Sequence, residues 1–339
     1  MFTSTSERPA VITPAEPKRA RDEALDWVKG ALVVLMVVYH SLNYSVYTQV
    51  AFANIAFLPP SFIFVAGFLL TNSYLARYDL KDWRLHQRLV TRGAKLILLF
   101  TAINLGLYFI ALGPGALQLF AENFQAIYLA ASGRFASFPI LTSIGYLLLL
   151  APLLLVIGSL NRWMLPALAL MLFIFCSVVE WRGTVGYHLS LISAGIAGAA
   201  FGLVPLERIS GFARKWFIVV PLYGLYRTGS YFIGDPYPMQ LMGVVTGLLV
   251  LYSLALLLPI RMQSYKETVL LGRYSLFGYI VQLGVIQVTV RMFGPFETPL
   301  SVVILAVVTL AVMWAITRIT HWLRAKARVV DLTYRAAFA

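Results

Sequence analysis

Apolar stretches recur along this chain, each about twenty residues long and so able to cross the ~30 Å hydrocarbon core of a bilayer as a helix. Within that core no water satisfies a free backbone N–H or C=O, so the segment must bond to itself. That requirement constrains the fold more than any other feature. The sequence reads as an all-α, polytopic membrane protein with ten spans, near residues 27–47, 60–76, 94–112, 138–158, 163–180, 185–205, 216–234, 239–259, 270–290 and 300–322. Composition agrees, with 60% hydrophobic and 12% charged residues over 339 positions. Such a chain is far too apolar for a soluble domain.

The flanks of the spans set their direction. With the first residues cytoplasmic, one side receives all of the 27 Lys and Arg residues except Arg134, Arg182, Arg227 and Arg291. By the positive-inside rule both termini are then cytoplasmic. The net charge of +13 is thereby read as topology and attraction to anionic lipid, and no nucleic-acid partner is expected. Residues 1–20 are polar and aperiodic and read as a disordered cytoplasmic tail rather than a signal peptide. Residues 21–323 form one membrane domain, and 324–339 a second cytoplasmic tail. Cys176, the single cysteine, supports neither a disulfide framework nor a metal site, and no metal is expected. No phosphate-binding glycine loop precedes a helix, which argues against nucleotide hydrolysis.

The first span, within "RDEALDWVKGALVVLMVVYHSLNY" at residues 21–44, is unusual in carrying Lys29 and His40. An ionisable group in lipid is costly unless it faces protein or water. The two residues are eleven positions apart, about three helical turns and roughly 16 Å along the axis, so they share a face. Asp26 precedes Lys29 by a turn, and Asn43 follows His40 by another. Lys29 taken alone also fits an interfacial anchor. An imidazole that titrates near neutrality is suited to proton transfer, although hydrogen-bonded packing would also explain His40.

With those residues in place, the chain resembles the acyltransferase-3 family of membrane acyltransferases. That family's first helix has a basic residue, ten arbitrary residues and a histidine, matched here by Lys29 and His40. Its second helix has Phe-Phe-x-x-Ser-Gly. "FIFVAG" at 62–67 keeps Phe62 and Gly67 and substitutes Ile63 and Ala66. Its next cytoplasmic loop has Arg-x-x-Arg, and "RGAK" supplies Arg92 and Lys95. A later Gly-x-x-Ser-x-x-x-Tyr-x-x-His is met by "GRYSLFGYIVQ", with Gly272, Ser275 and Tyr279 kept and Gln282 in place of the histidine. "RDEALDWVKG" and "LGRYSL" are also similar to the OpgC branch, whose members succinylate periplasmic glucans. Roles that relatives give to the serine or the second histidine do not transfer to Ala66 or Gln282.

The resemblance implies a multi-pass enzyme of the bacterial inner membrane. It would move an acetyl or succinyl group from cytoplasmic acyl-CoA, a co-substrate with no bound cofactor, to a hydroxyl of an extracytoplasmic glycan. It makes His40 the general base and places Lys29, Arg92, Lys95 and Arg88 at the donor phosphates, which suit cationic side chains. Arg227, Asn43 and Tyr279 are candidates for the substrate or the oxyanion. Arg227 equally fits an ion pair with Asp235 or Glu180. His188 is expected at the outer interface, and His86 and His321 among solvated cytoplasmic charges. The segment 113–137, with Glu122 and several aromatics, is the longest external stretch and the place expected for the acceptor. A secondary transporter of a glycan or acidic small molecule, using His40, Lys29 and Arg227, is the alternative. The motifs favour the transferase.

Overall fold

The computed structural model describes residues 22–43, 55–75, 82–132, 137–183, 185–294, 296 and 298–338, and these are predominantly helical, with no strand among them. Helix α1 spans Glu23–Asn43, α2 Leu58–Leu69, α3 Trp83–Leu112, α4 Ala116–Glu122 and α5 Phe124–Tyr128. They are followed by α6 Pro139–Leu160, α7 Met164–Arg182, α8 Tyr187–Phe201, α9 Leu206–Ala213 and α10 Trp216–Ile233. The last five are α11 Tyr237–Leu257, α12 Gln263–Arg273, α13 Ser275–Phe293, α14 Pro299–Lys326 and α15 Arg328–Phe338.

Among the described residues, seven helices are long and apolar enough to cross a bilayer, or eight if α8 and α9, bent 99° at their junction, count as one span. The expected ten are therefore not all established. Three expected spans correspond to shorter or less apolar helices. The 60–76 span is the 12-residue α2 running into a π-helical turn at Leu70–Leu75. The 185–205 span is the 15-residue α8, and the 216–234 span is the 18-residue α10. The 270–290 span divides at Tyr274, where α12 ends and α13 begins.

Local chemistry explains several helix starts. The Asp22 carboxylate accepts from the N–H groups of Ala24 (2.8 Å) and Leu25 (3.1 Å), satisfying donors at the head of α1. Asp82 accepts from the N–H of Arg84 at 2.9 Å and starts α3 well before its apolar stretch. Arg92 and Lys95, expected on a loop, therefore stand on a helix, three residues apart and on one face. Thr298 and Ser301 form a reciprocal capping box ahead of α14.

Two crossings are made backbone against backbone. A Cβ on Gly272 would collide with the Asp26 carbonyl, and one on Gly30 with the Thr268 carbonyl, so α1 and α12 touch at their glycines. Gly67 and Gly198 join α2 to α8 in the same way, each facing a carbonyl of the other helix. Small residues at such points suit a membrane, where burial alone gives no drive to associate. Helix α1 contacts α2, α11, α12, α13 and α14 and so lies at the centre of the bundle. On the outside, Leu153, Ile174, Phe232 and Val307 are exposed, an apolar surface that suits lipid rather than water.

Candidate functional site

The stripe on α1 is more than an anchor. Asp26, only 2% exposed, is gripped by Lys29 at 2.6 Å and approached by Arg273 of α12 at 3.7 Å. Arg273 also lies 3.6 Å from Glu23. A buried carboxylate needs such partners, because burying it alone would cost several kcal/mol. The glycine contact between α1 and α12 is what brings Arg273 this close.

Above these groups opens a cavity of about 560 Å³, within the range of ligand sites. Its mouth carries five cations: Lys29, Arg92, Lys95, Arg273 and Arg324. Its walls turn apolar with Phe62, Leu96, Ile144 and Leu276, and Tyr279 forms part of the lining. The Arg92 guanidinium donates to the Tyr74 hydroxyl at 2.8 Å, which steadies it at the rim. Four sequence motifs thus meet in one place. Ala66 and Ser275 also line the cavity, while Gly67 and Gly272 face neighbouring helices. The motif glycines position the walls rather than the ligand.

His40 is not part of the cavity lining. Its ring lies beside Tyr279, with centroids 6.0 Å apart, and edge-on to Tyr39 at 5.2 Å. The His40 Nε2 is buried and has no hydrogen-bond partner among the described residues. An unpartnered ring nitrogen in apolar surroundings is free to accept a proton from an incoming hydroxyl. Tyr279 also meets Phe138 at 6.0 Å. Phe138 has a left-handed backbone, φ 64°. The neighbouring Ser137 is fixed by Asn104, at 2.7 and 2.9 Å, and by Gln287 at 2.8 Å. One turn beyond Tyr279, Gln282 is fully buried and neither of its amide atoms has a partner among the described residues.

Other expected residues lie elsewhere. Arg88 is exposed and outside the cavity. Asn43 is exposed at the end of α1, next to residues 44–54, which lie outside the described set. Arg227 is likewise not at the cavity. It stacks over Tyr226 at 5.7 Å and donates to the Ser230 hydroxyl at 3.5 Å, which in turn bonds to Asp235. Glu180 instead accepts from the Tyr237 backbone N–H. Within 113–137, α4 and α5 form two short helices, and residues 133–136 lie outside the described set. His321 is exposed and bonds to the Tyr274 hydroxyl at 3.1 Å, and His86 lies against Trp83 at 6.4 Å.

His188 departs from expectation. It is 6% exposed rather than interfacial, with its Nδ1 bonded to the Ser143 hydroxyl of α6 at 2.7 Å and its ring edge-on to Tyr146. Its partner is 45 residues away in sequence, so no local pattern could have revealed the pair. Arg273 and Arg324 were likewise counted only for their charge. Arg273 does sit inside a quoted motif, which was an available signal; Arg324 had none. A second cavity of about 300 Å³ lies beside α1, α2, α9 and α11. It is apolar apart from Arg208 and Tyr252 and offers no comparable chemistry.

The profile of the family described as "acyltransferase domain" matches residues 22–318, well over half of the chain. No curated protein and no solved structure matches it.

Proposed function

The chain belongs to the acyltransferase domain family, and on that premise we propose that it moves an acetyl or succinyl group from cytoplasmic acyl-CoA to a hydroxyl of a periplasmic or cell-surface glycan. Membership makes it a membrane acyltransferase; the donor, the acceptor and the residue roles are our reading. The observation that carries the reading is the cavity that leads from five clustered cations along an apolar wall to Tyr279, with His40 beside that ring. The charge split between loops supports cytoplasmic termini, the recurring apolar runs support ten spans, and the family resemblance supports a bacterial inner membrane. The motif likeness supports the OpgC-like branch.

In this reading Lys29, Arg92 and Lys95 hold the donor phosphates, and the acyl-bearing arm lies along Phe62, Leu96 and Leu276. A sugar hydroxyl is a weak nucleophile near neutral pH. His40 takes its proton as the oxygen bonds to the thioester carbonyl carbon. The C–S bond then breaks, and the departing thiolate receives that proton. Tyr279, between donor and base, donates to the developing oxyanion. In dry surroundings such a donor is worth far more than in water. Transfer is direct, without an acyl-enzyme.

His40 provides the test. Alanine removes a costly polar group from an apolar helix, so His40→Ala is expected to reach the membrane at a normal level. Its transfer rate is expected to fall roughly 10²–10⁴-fold, the usual contribution of acid–base catalysis. His40→Gln keeps a hydrogen-bonding side chain but does not shuttle protons near neutrality, and is expected to be equally slow. Acyl transfer is measured in membranes with matched amounts of each variant. A wild-type rate in His40→Gln would end the assignment of His40 as the base.

A further inference from the structure

The family match stops at residue 318, but the wall of the cavity does not. Arg324, near the end of α14, and Tyr334, Ala337 and Phe338 of α15 all line it. The following segment is thus folded back onto the mouth, and its contacts are specific. Arg324 forks onto the Asp331 carboxylate, Nε at 2.9 Å and Nη2 at 2.7 Å, and its Nη1 donates to the Tyr274 hydroxyl at 3.0 Å. The guanidinium also lies 3.9 Å from the centre of the Tyr334 ring. Tyr334 in turn stacks near Tyr274 at 5.2 Å and Phe338 at 5.0 Å. Phe277, at the start of α13, meets Phe338 at 5.5 Å.

We infer that Arg324 and Tyr334 form the part of the donor site that binds the nucleotide end of the thioester donor. This rests on the acyl-CoA reading above and extends it to a segment outside the family match. Such a donor has two unlike ends. Its thioester needs a dry, apolar channel, while its adenosine end brings a planar purine and several phosphates. The cavity is divided in the same way, with its apolar lining toward Tyr279 and its cations and aromatic rings at the mouth. Arg273 and Lys29 meet phosphate oxygens, and Arg324, whose fork is held by Asp331, adds the remaining N–H on each of its Nη atoms. One face of the Tyr334 ring carries the Arg324 guanidinium, so the purine would stack on the other face, beside Phe338, and stacking of this kind is tolerant of the exact base. Among the described residues, Glu23, Asp26 and Asp331 are the carboxylates whose ion pairs with Lys29, Arg273 and Arg324 hold these cations in place.

The experiment measures coenzyme A binding calorimetrically with the purified full chain in detergent. It compares wild type with Arg324→Ala, Tyr334→Ala and Tyr334→Phe, and a melting curve of each serves as a check on folding. Both alanine variants are expected to raise Kd about tenfold or more. Tyr334→Phe keeps the ring face and is expected to stay within about twofold. Equal affinity in the wild type and both alanine variants would overturn the inference. So would weakening of all three variants together with lowered melting, because Tyr334 would then serve packing rather than stacking. A wild type that binds no coenzyme A would overturn the donor reading itself, and this inference with it.

Discussion

Gly272→Ala isolates the role of the contact between α1 and α12. The new Cβ would meet the Asp26 carbonyl and the Gly30 N–H, both backbone, and neither can rotate aside. Restoring an ordinary contact near 3.5 Å requires the helices to part by on the order of 1 Å. Arg273 stands 3.7 Å from Asp26 and 3.6 Å from Glu23, so a shift of that size breaks both ion pairs and takes a cation away from buried Asp26. Overpacking of this kind costs about 1–3 kcal/mol. For a chain of this size the apparent melting midpoint is expected to fall by roughly 3–10 °C, and the affinity for coenzyme A to fall with it as Arg273 leaves the rim. The assay is intrinsic fluorescence during heating in detergent micelles, followed by calorimetric binding. Gly284→Ala is the control, because its Cβ would enter open space on α13. Alanine there is expected to be neutral or to stabilise by up to about 1 kcal/mol. If Gly272→Ala melts with the wild type and binds coenzyme A equally well, the close crossing does not position the site.

Two further outcomes follow from single residues. Gln282 buries two amide atoms with no partner among the described residues, so Gln282→Met is expected to raise stability by about 1–2 kcal/mol, read as a higher melting midpoint; a lower midpoint would show that the amide has a partner in the folded protein. The docking of α15 is expected to depend on pH through Asp331, whose carboxyl is held below the ordinary carboxylate range by the hydrogen bond from Arg324 and then by the charge of Arg335. A depressed folded pKa means that the contribution is fully present above the unfolded value and is lost as pH falls through the folded one. Hydrogen exchange of residues 328–338, corrected for intrinsic rates, should therefore be flat from about pH 8 to 5 and quicken below. Asp331→Asn should remove that dependence, and quickening already present between pH 8 and 6 would refute it.

How much of this was legible before the structure depends on the range of each interaction. The stripe from Asp26 to His40 follows from helical periodicity on one segment, and periodicity survives folding. Gly67 and Gly272 were visible as motif letters, but the carbonyls that require them lie on other helices. Arg92 and Lys95 were visible as a pair, while their helical setting depended on Asp82 capping α3 well ahead of the apolar run. The Ser143–His188 bond and the Arg324–Tyr274 contact join residues 45 and 50 positions apart, so no local window of sequence held both partners. The spans that depart most from a simple crossing helix are α2, the bent α8–α9 pair and α10, in length or hydropathy.

The placement of His40 behind Tyr279 also bears on the ionic seal of the membrane. A basic mouth, a cavity and a proton-accepting ring on one helix are the makings of a leak if water runs through them. Here the cavity lines Tyr279 and does not reach His40. Among the described residues a single aromatic ring stands between that cavity and the imidazole. In such an arrangement the ring, rather than the length of the helix, sets how readily water from the mouth meets the imidazole.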